Sequence, residues 1–124
     1  MRFLIVFLGG GCGAAMRHGF NMLFARVRGS GFPSATLFEN VTGSLLMGAL
    51  VAFFAFKSGI PQHWQLFLTT GILGGYTTFS TFSLDTALLY ERGEIGLAAL
   101  YVALSAALSI GGLFVGLALV RNLT

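Results

Sequence analysis

Four long apolar runs, near residues 3–25, 35–56, 64–90 and 95–120, constrain this chain more than any other feature of its 124 residues. Each is long enough to cross the hydrocarbon core of a bilayer as a helix, which takes about 20 residues, and a helix satisfies its own backbone where no water can. The connections are short and polar: Arg26-Val27-Arg28-Gly29-Ser30-Gly31-Phe32-Pro33, then Lys57-Ser58-Gly59-Ile60-Pro61-Gln62-His63, then Glu91-Arg92-Gly93-Glu94. Gly31, Pro33, Gly59, Pro61 and Gly93 supply the breaks, and loops this short join antiparallel neighbours. Trp64 and Tyr90 fall at run ends, where aromatic rings favour the membrane surface. The expected fold is an all-α integral membrane protein, four transmembrane helices forming one domain over residues 1–124. With 9% charged residues against 56% hydrophobic, the chain is no water-soluble domain, in which about a quarter of residues are charged. Soluble active sites are excluded with it.

The remaining charges carry topological information. In a four-span chain the N-terminus, second loop and C-terminus share one side with Arg2, Lys57 and Arg121, while the first and third loops bring Arg26, Arg28 and Arg92 to the other. Orientation follows the Lys/Arg excess of short loops, and three against three is no excess. Both insertions are then open, which favours an antiparallel homodimer of oppositely inserted copies over a topology fixed by other features. The net charge of +3 is scattered and forms no basic tract for nucleic acid. The opening apolar run is read as the first span rather than a signal peptide, because everything after it is equally apolar. Cys12 stands alone and is a packing residue. Gly9/Gly13, Gly71/Gly75 and Gly112/Gly116 have the spacing that lets helix backbones approach closely in lipid. The Gly9-Gly10-Gly11-Cys12-Gly13 cluster lacks the lysine of a phosphate loop, so packing is its role too.

Polar groups inside the spans are mostly neutral hydroxyls and amides, and each must find a partner or line water. A neutral, donor-rich lining suits an anion. The densest patch is Gly74-Gly75-Tyr76-Thr77-Thr78-Phe79-Ser80-Thr81-Phe82-Ser83, where two glycines and a run of hydroxyls are expected to break the third helix mid-membrane and free backbone groups for ions. Phe79 and Phe82, three apart, share a face, and their positive ring edges let a small hard anion pass without meeting a full charge. Thr36, Asn40 and Ser44 form one polar stripe at four-residue spacing, with Thr42 beside it; Tyr101, Ser105 and Ser109 form another. The plainer account is that such hydroxyls bond back to their own helix carbonyls.

Thr36-Leu37-Phe38-Glu39-Asn40-Val41-Thr42-Gly43-Ser44 and the longer run from Thr69 through Gly74-Gly75-Tyr76-Thr77-Thr78-Phe79-Ser80-Thr81-Phe82-Ser83 resemble the signature of the Fluc fluoride channels, also called the CrcB family. The Gly-rich first helix with Arg17 and the Glu91-Arg92-Gly93 turn extend the likeness over essentially the whole chain. The resemblance implies a dual-topology homodimer of four-helix subunits in a bacterial inner membrane. Two antiparallel fluoride pores would flank a structural sodium ion at the dimer centre. By position, Phe79 and Phe82 match the family's aromatic box, Asn40 its pore asparagine, Thr36 a pore threonine, and Tyr101, Ser105 and Ser109 its polar track. Ser80 and Thr81 belong to the same pore string. Arg17 matches a basic residue near the entrance, with a packing cation paired to a carboxylate as the alternative role. The resemblance places Na+ on the backbone carbonyls of Gly74 and Thr77, in keeping with a hard cation's need for oxygen.

Two positions depart from the pattern. Glu39 stands where an apolar or small residue is expected, and it snorkels, pairs with Arg17 or marks an altered position. Ala35 replaces a glycine. Asp85, a turn beyond the Phe pair, is expected to be an interfacial charge rather than a vestibule carboxylate. His18 and His63 are too far apart and too poorly supported to hold a metal, and with no nucleophile and base in evidence the chain is not expected to be an enzyme. The function these features imply is passive, selective export of fluoride. A small dual-topology proton-coupled multidrug exporter using Glu39 is the alternative. Its family keeps the essential carboxylate in the first span, and Glu39→Gln separates the two by abolishing coupled export alone. A membrane assembly subunit that transports nothing is a third possibility, in which Phe79→Ile or Phe82→Ile leaves fluoride tolerance intact.

Overall fold

The computed structural model describes residues 1–28 and 31–123; Gly29 and Ser30 of the first loop and Thr124 lie outside the described residues. Every regular element among the described residues is helical. Helix α1 spans Arg2–Arg28 and α2 spans Ser34–Phe56. A short α3, Gln62–Gln65, runs on through a π-helical stretch, Leu66–Leu73, into α4, Gly74–Tyr76. After two extended residues come α5, Phe79–Glu91, and α6, Ile95–Leu123. Three of these, α1, α2 and α6, are long and apolar enough to cross a membrane. The third apolar run is instead divided at Thr77-Thr78, as the hydroxyl-rich string led one to expect.

Turn chemistry sets the loops. Gly59 and Gly93 take positive φ, +88° and +81°, which costs a residue without a Cβ little. At Gly93 the Glu94 N–H donates to the Leu89 carbonyl at 2.9 Å and the Gly93 N–H to Tyr90 at 3.0 Å, a Schellman ending for α5. The loops also mark the ends of the bundle. Arg92 Nη2 donates to the Gly31 carbonyl at 2.9 Å, tying the third loop to the first. Arg2 Nη2 donates to Gln62 Oε1 at 3.2 Å, tying the N-terminus to the second. Arg2 thus lies beside the second loop and Arg92 beside the first.

Small residues bring the helices together, as expected without a hydrophobic force between helices in lipid. α1 lies along the π-helical stretch and α4, and α2 along α6. A Cβ on Gly13 would run into the Ile72 carbonyl and lie 2.8 Å from Tyr76 N, and one on Gly9 would lie 2.9 Å from Gly71 Cα. In the second pair Gly48 meets the Leu113 carbonyl and Gly116 the Leu45 carbonyl. The buried centre is small: Leu89, Ala98 and Tyr101, wrapped by Phe32, Leu37, Phe82 and Leu97. Large apolar side chains such as Phe3, Phe7, Ile110 and Phe114 face outward, the distribution a lipid-facing surface requires.

Candidate functional site

The site is organised by the interruption at Thr77-Thr78. The two glycines do not cause it directly, since Gly74 keeps helical dihedrals of −63° and −38°. Helix bonding stops three residues later, where Thr77 (φ −87°, ψ 156°) and Thr78 (φ −155°, ψ 122°) extend. Two side chains replace the lost backbone bonds. Asn40 on α2 accepts from the Thr78 N–H at 2.8 Å and donates through Nδ2 to the Thr78 carbonyl at 3.1 Å. Thr78 Oγ1 in turn accepts from the Thr81 N–H at 3.1 Å, capping α5. In an unbroken helix those two N–H groups would have gone to the carbonyls of Gly74 and Thr77. These are the carbonyls the resemblance assigns to sodium, and their normal donors are committed elsewhere. The donor set therefore suits a hard cation. Arg17 Nε donates to the Gly75 carbonyl between them at 3.2 Å.

The hydroxyls divide into two classes. Thr42, Thr69, Thr77, Ser83 and Thr86 bond back to carbonyls one turn earlier on their own helices, as the plainer account holds. Ser105 and Ser109 on α6 do not: both Oγ atoms are buried with no hydrogen-bond partner. Both serines line a groove of about 390 Å³ together with Asn40, Ser44, Phe79 and Phe82. The Phe79 and Phe82 rings lie 5.4 Å apart and tilted by 52°. Phe82 leans on Tyr101, centroids 5.2 Å apart, whereas Phe79 is 78% exposed in the single chain. The structure thus brings together two side chains of the first polar stripe, two of the second and the Phe pair. Ser80 and Thr81 stay outside the groove lining; Ser80 Oγ is 3.3 Å from Thr78 Oγ1.

A second cavity lies toward the loops, lined by Asn21, Thr36, Asp85 and Arg92 among others. Tyr101 is fully buried and donates its hydroxyl to Asp85 Oδ2 at 3.1 Å. Asp85 therefore lines the cavity toward the loops. Glu39 neither snorkels nor pairs: it is 0% exposed and both carboxyl oxygens lack a partner.

This geometry comes with full-length likeness to known proteins. Residues 4–117 match the family described as CrcB-like protein, Camphor Resistance (CrcB). The chain belongs to the CrcB family. It is 63% identical over 124 residues, 100% of both chains, to a protein of Rhodopseudomonas palustris (strain BisB5) named fluoride-specific ion channel FluC. It is 60% identical, again over 100% of both chains, to fluoride-specific ion channel FluC 2 of Nitrobacter hamburgensis. Over 99% of its length and 97% of the relative's, it is 57% identical to a FluC of Granulibacter bethesdensis. CrcB membership confirms the resemblance read from the Thr36–Ser44 and Thr69–Ser83 strings.

Proposed function

We propose that this CrcB protein is a fluoride channel, not an enzyme, that lets fluoride leave the cell passively through an inner membrane. The observation that carries the reading is the groove in which Phe79, Phe82 and Asn40 face the unpartnered hydroxyls of Ser105 and Ser109; the names of the full-length relatives agree with it. Uncharged donors and ring edges replace water around a small halide without trapping it, as conduction requires. The divided run crosses the membrane as two half-helices and makes the fourth span. Two oppositely inserted copies form the working dimer, consistent with equal Lys/Arg counts at the two ends, and close two antiparallel pores. Phe79, exposed in the single chain, would be covered there. Tyr101 and Thr36 line the approach from the Asp85 cavity, and Arg17 steadies the break rather than forming an ion pair.

A structural sodium ion fits the same reading. The Gly74 and Thr77 carbonyls of both copies would hold it at the dimer centre, where its charge stabilises the paired breaks. Ser80 and Thr81 then serve the pore by shaping the first turn of α5.

The test is efflux from liposomes loaded with fluoride, read with a fluoride electrode under an ionophore-clamped potential. Fluoride leaves quickly and chloride does not; equal chloride leakage, or no fluoride efflux, refutes selective conduction. Efflux by Glu39→Gln separates a channel from a coupled exporter, which that variant disables.

A further inference from the structure

The channel reading gives no role to Glu39, which is 0% exposed with no hydrogen bond to Oε1 or Oε2. Its register on α2 fixes what it faces. Thr42 and Gly43, three and four residues on, share its side of the helix. Thr42 Oγ1 lies 2.9 Å from the Tyr76 hydroxyl, and a Cβ on Gly43 would run into Thr77 Cγ2 and come 3.2 Å from the Tyr76 ring. Asn40, the next residue, holds both polar groups of Thr78. Glu39 is therefore turned toward Tyr76-Thr77-Thr78, the stretch where the chain leaves the helix. It lines neither the groove nor the Asp85 cavity.

That stretch gathers positive charge. Arg17 Nε donates to the Gly75 carbonyl at 3.2 Å, in the chain between the Gly74 and Thr77 carbonyls. A sodium ion on those two carbonyls shares the break with a guanidinium, and a second copy brings another. Carbonyl oxygens solvate a cation without cancelling its charge, and uncompensated charge away from water is costly. Glu39 is the only buried carboxylate among the described residues. Arg17 is the cation that attracts it, whereas Asp85, of like sign, is turned to the Tyr101 hydroxyl. A carboxylate with no donor of its own still acts on such cations at a distance, because attraction reaches further where the dielectric is low.

Resting on the sodium ion of the reading above, we propose that Glu39 is its buried counter-charge: the carboxylate offsets Arg17 and raises the affinity of the Gly74 and Thr77 carbonyls for sodium, without itself coordinating the ion. Each copy's Glu39 then cancels that copy's Arg17. Binding of radioactive sodium to the purified protein in lipid nanodiscs, with choline as the replacing cation, reads this affinity independently of fluoride flux. Glu39→Gln weakens sodium binding about tenfold, the effect of one unit charge over about 10 Å at an effective dielectric of about 20. Glu39→Asp keeps the charge and stays within about threefold of the natural chain. Arg17→Gln removes the opposing cation and tightens binding, again by about tenfold. A Glu39→Gln affinity equal to the natural one, or a Glu39→Asp loss as large as that of Glu39→Gln, overturns the inference and leaves the sodium site standing. Should Glu39→Gln fail to assemble, an Arg17→Gln affinity no higher than the natural one overturns it instead. A natural chain that binds no sodium overturns the site and this inference together, while fluoride efflux from the same protein decides the channel reading separately.

Discussion

Removing the Asn40 side chain tests whether one amide holds the broken segment. Its Oδ1 and Nδ2 take the Thr78 N–H at 2.8 Å and the Thr78 carbonyl at 3.1 Å, so Asn40→Ala strips both partners from one peptide unit. Each bond contributes about 1 kcal/mol net, and a buried group left unpaired costs about 1 to 3 kcal/mol. Thr78 is only part-buried and borders the groove, so water recovers part of that loss. The expected destabilisation is the lower end for two groups, about 2 to 4 kcal/mol. Ser44→Ala, one turn along the same helix and lining the same groove, has no side-chain bond to lose and is expected within about 0.5 kcal/mol of the natural chain. Both are compared by titrating mixed micelles with a denaturing detergent and following helix loss by circular dichroism. If Asn40→Ala unfolds within error of Ser44→Ala, the clamp does not hold the break and the freed-carbonyl argument at Gly74 fails with it.

Other perturbations have equally definite outcomes. Gly13→Ala drives a methyl into the Ile72 carbonyl and is expected to cost at least about 3 kcal/mol. Gly11→Ala, with nothing within 4 Å, costs nothing; the same micelle titration reads both, and equal effects would remove close packing as the reason for these glycines. Tyr101→Phe deletes the 3.1 Å bond to Asp85 and is expected to cost about 1 to 3 kcal/mol, with unchanged stability counting against that bond. Phe82→Ile loses the ring contacts to Phe79 and Tyr101 at 5.4 and 5.2 Å. It is expected to slow fluoride efflux at least about tenfold while costing no more than about 1.5 kcal/mol of stability beyond area loss; undiminished efflux would place the path elsewhere.

Much of the molecule was legible in the residues because the signals are local. Long apolar runs dictate helices in lipid whatever else surrounds them. Gly59, Pro61 and Gly93 stop the chain for reasons internal to a few dihedrals, and small residues at four-residue spacing announce close packing. The Phe79–Phe82 face and the Ser105–Ser109 rail follow from helix periodicity alone. What only the tertiary structure decided is where each polar group finds its partner, because that depends on atoms far apart in sequence. Asn40 and Thr78 are separated by 38 positions, yet their pairing moves the break past Gly74-Gly75 and leaves two carbonyls without their helical donors. Composition cannot tell a hydroxyl that bonds back to its helix, as Thr42 does, from one left facing a groove, as Ser105 is. Nor could it foresee that Glu39 would be fully buried with no hydrogen bond to either carboxyl oxygen. A buried charge is priced by its three-dimensional surroundings, and those exist only once the helices have packed.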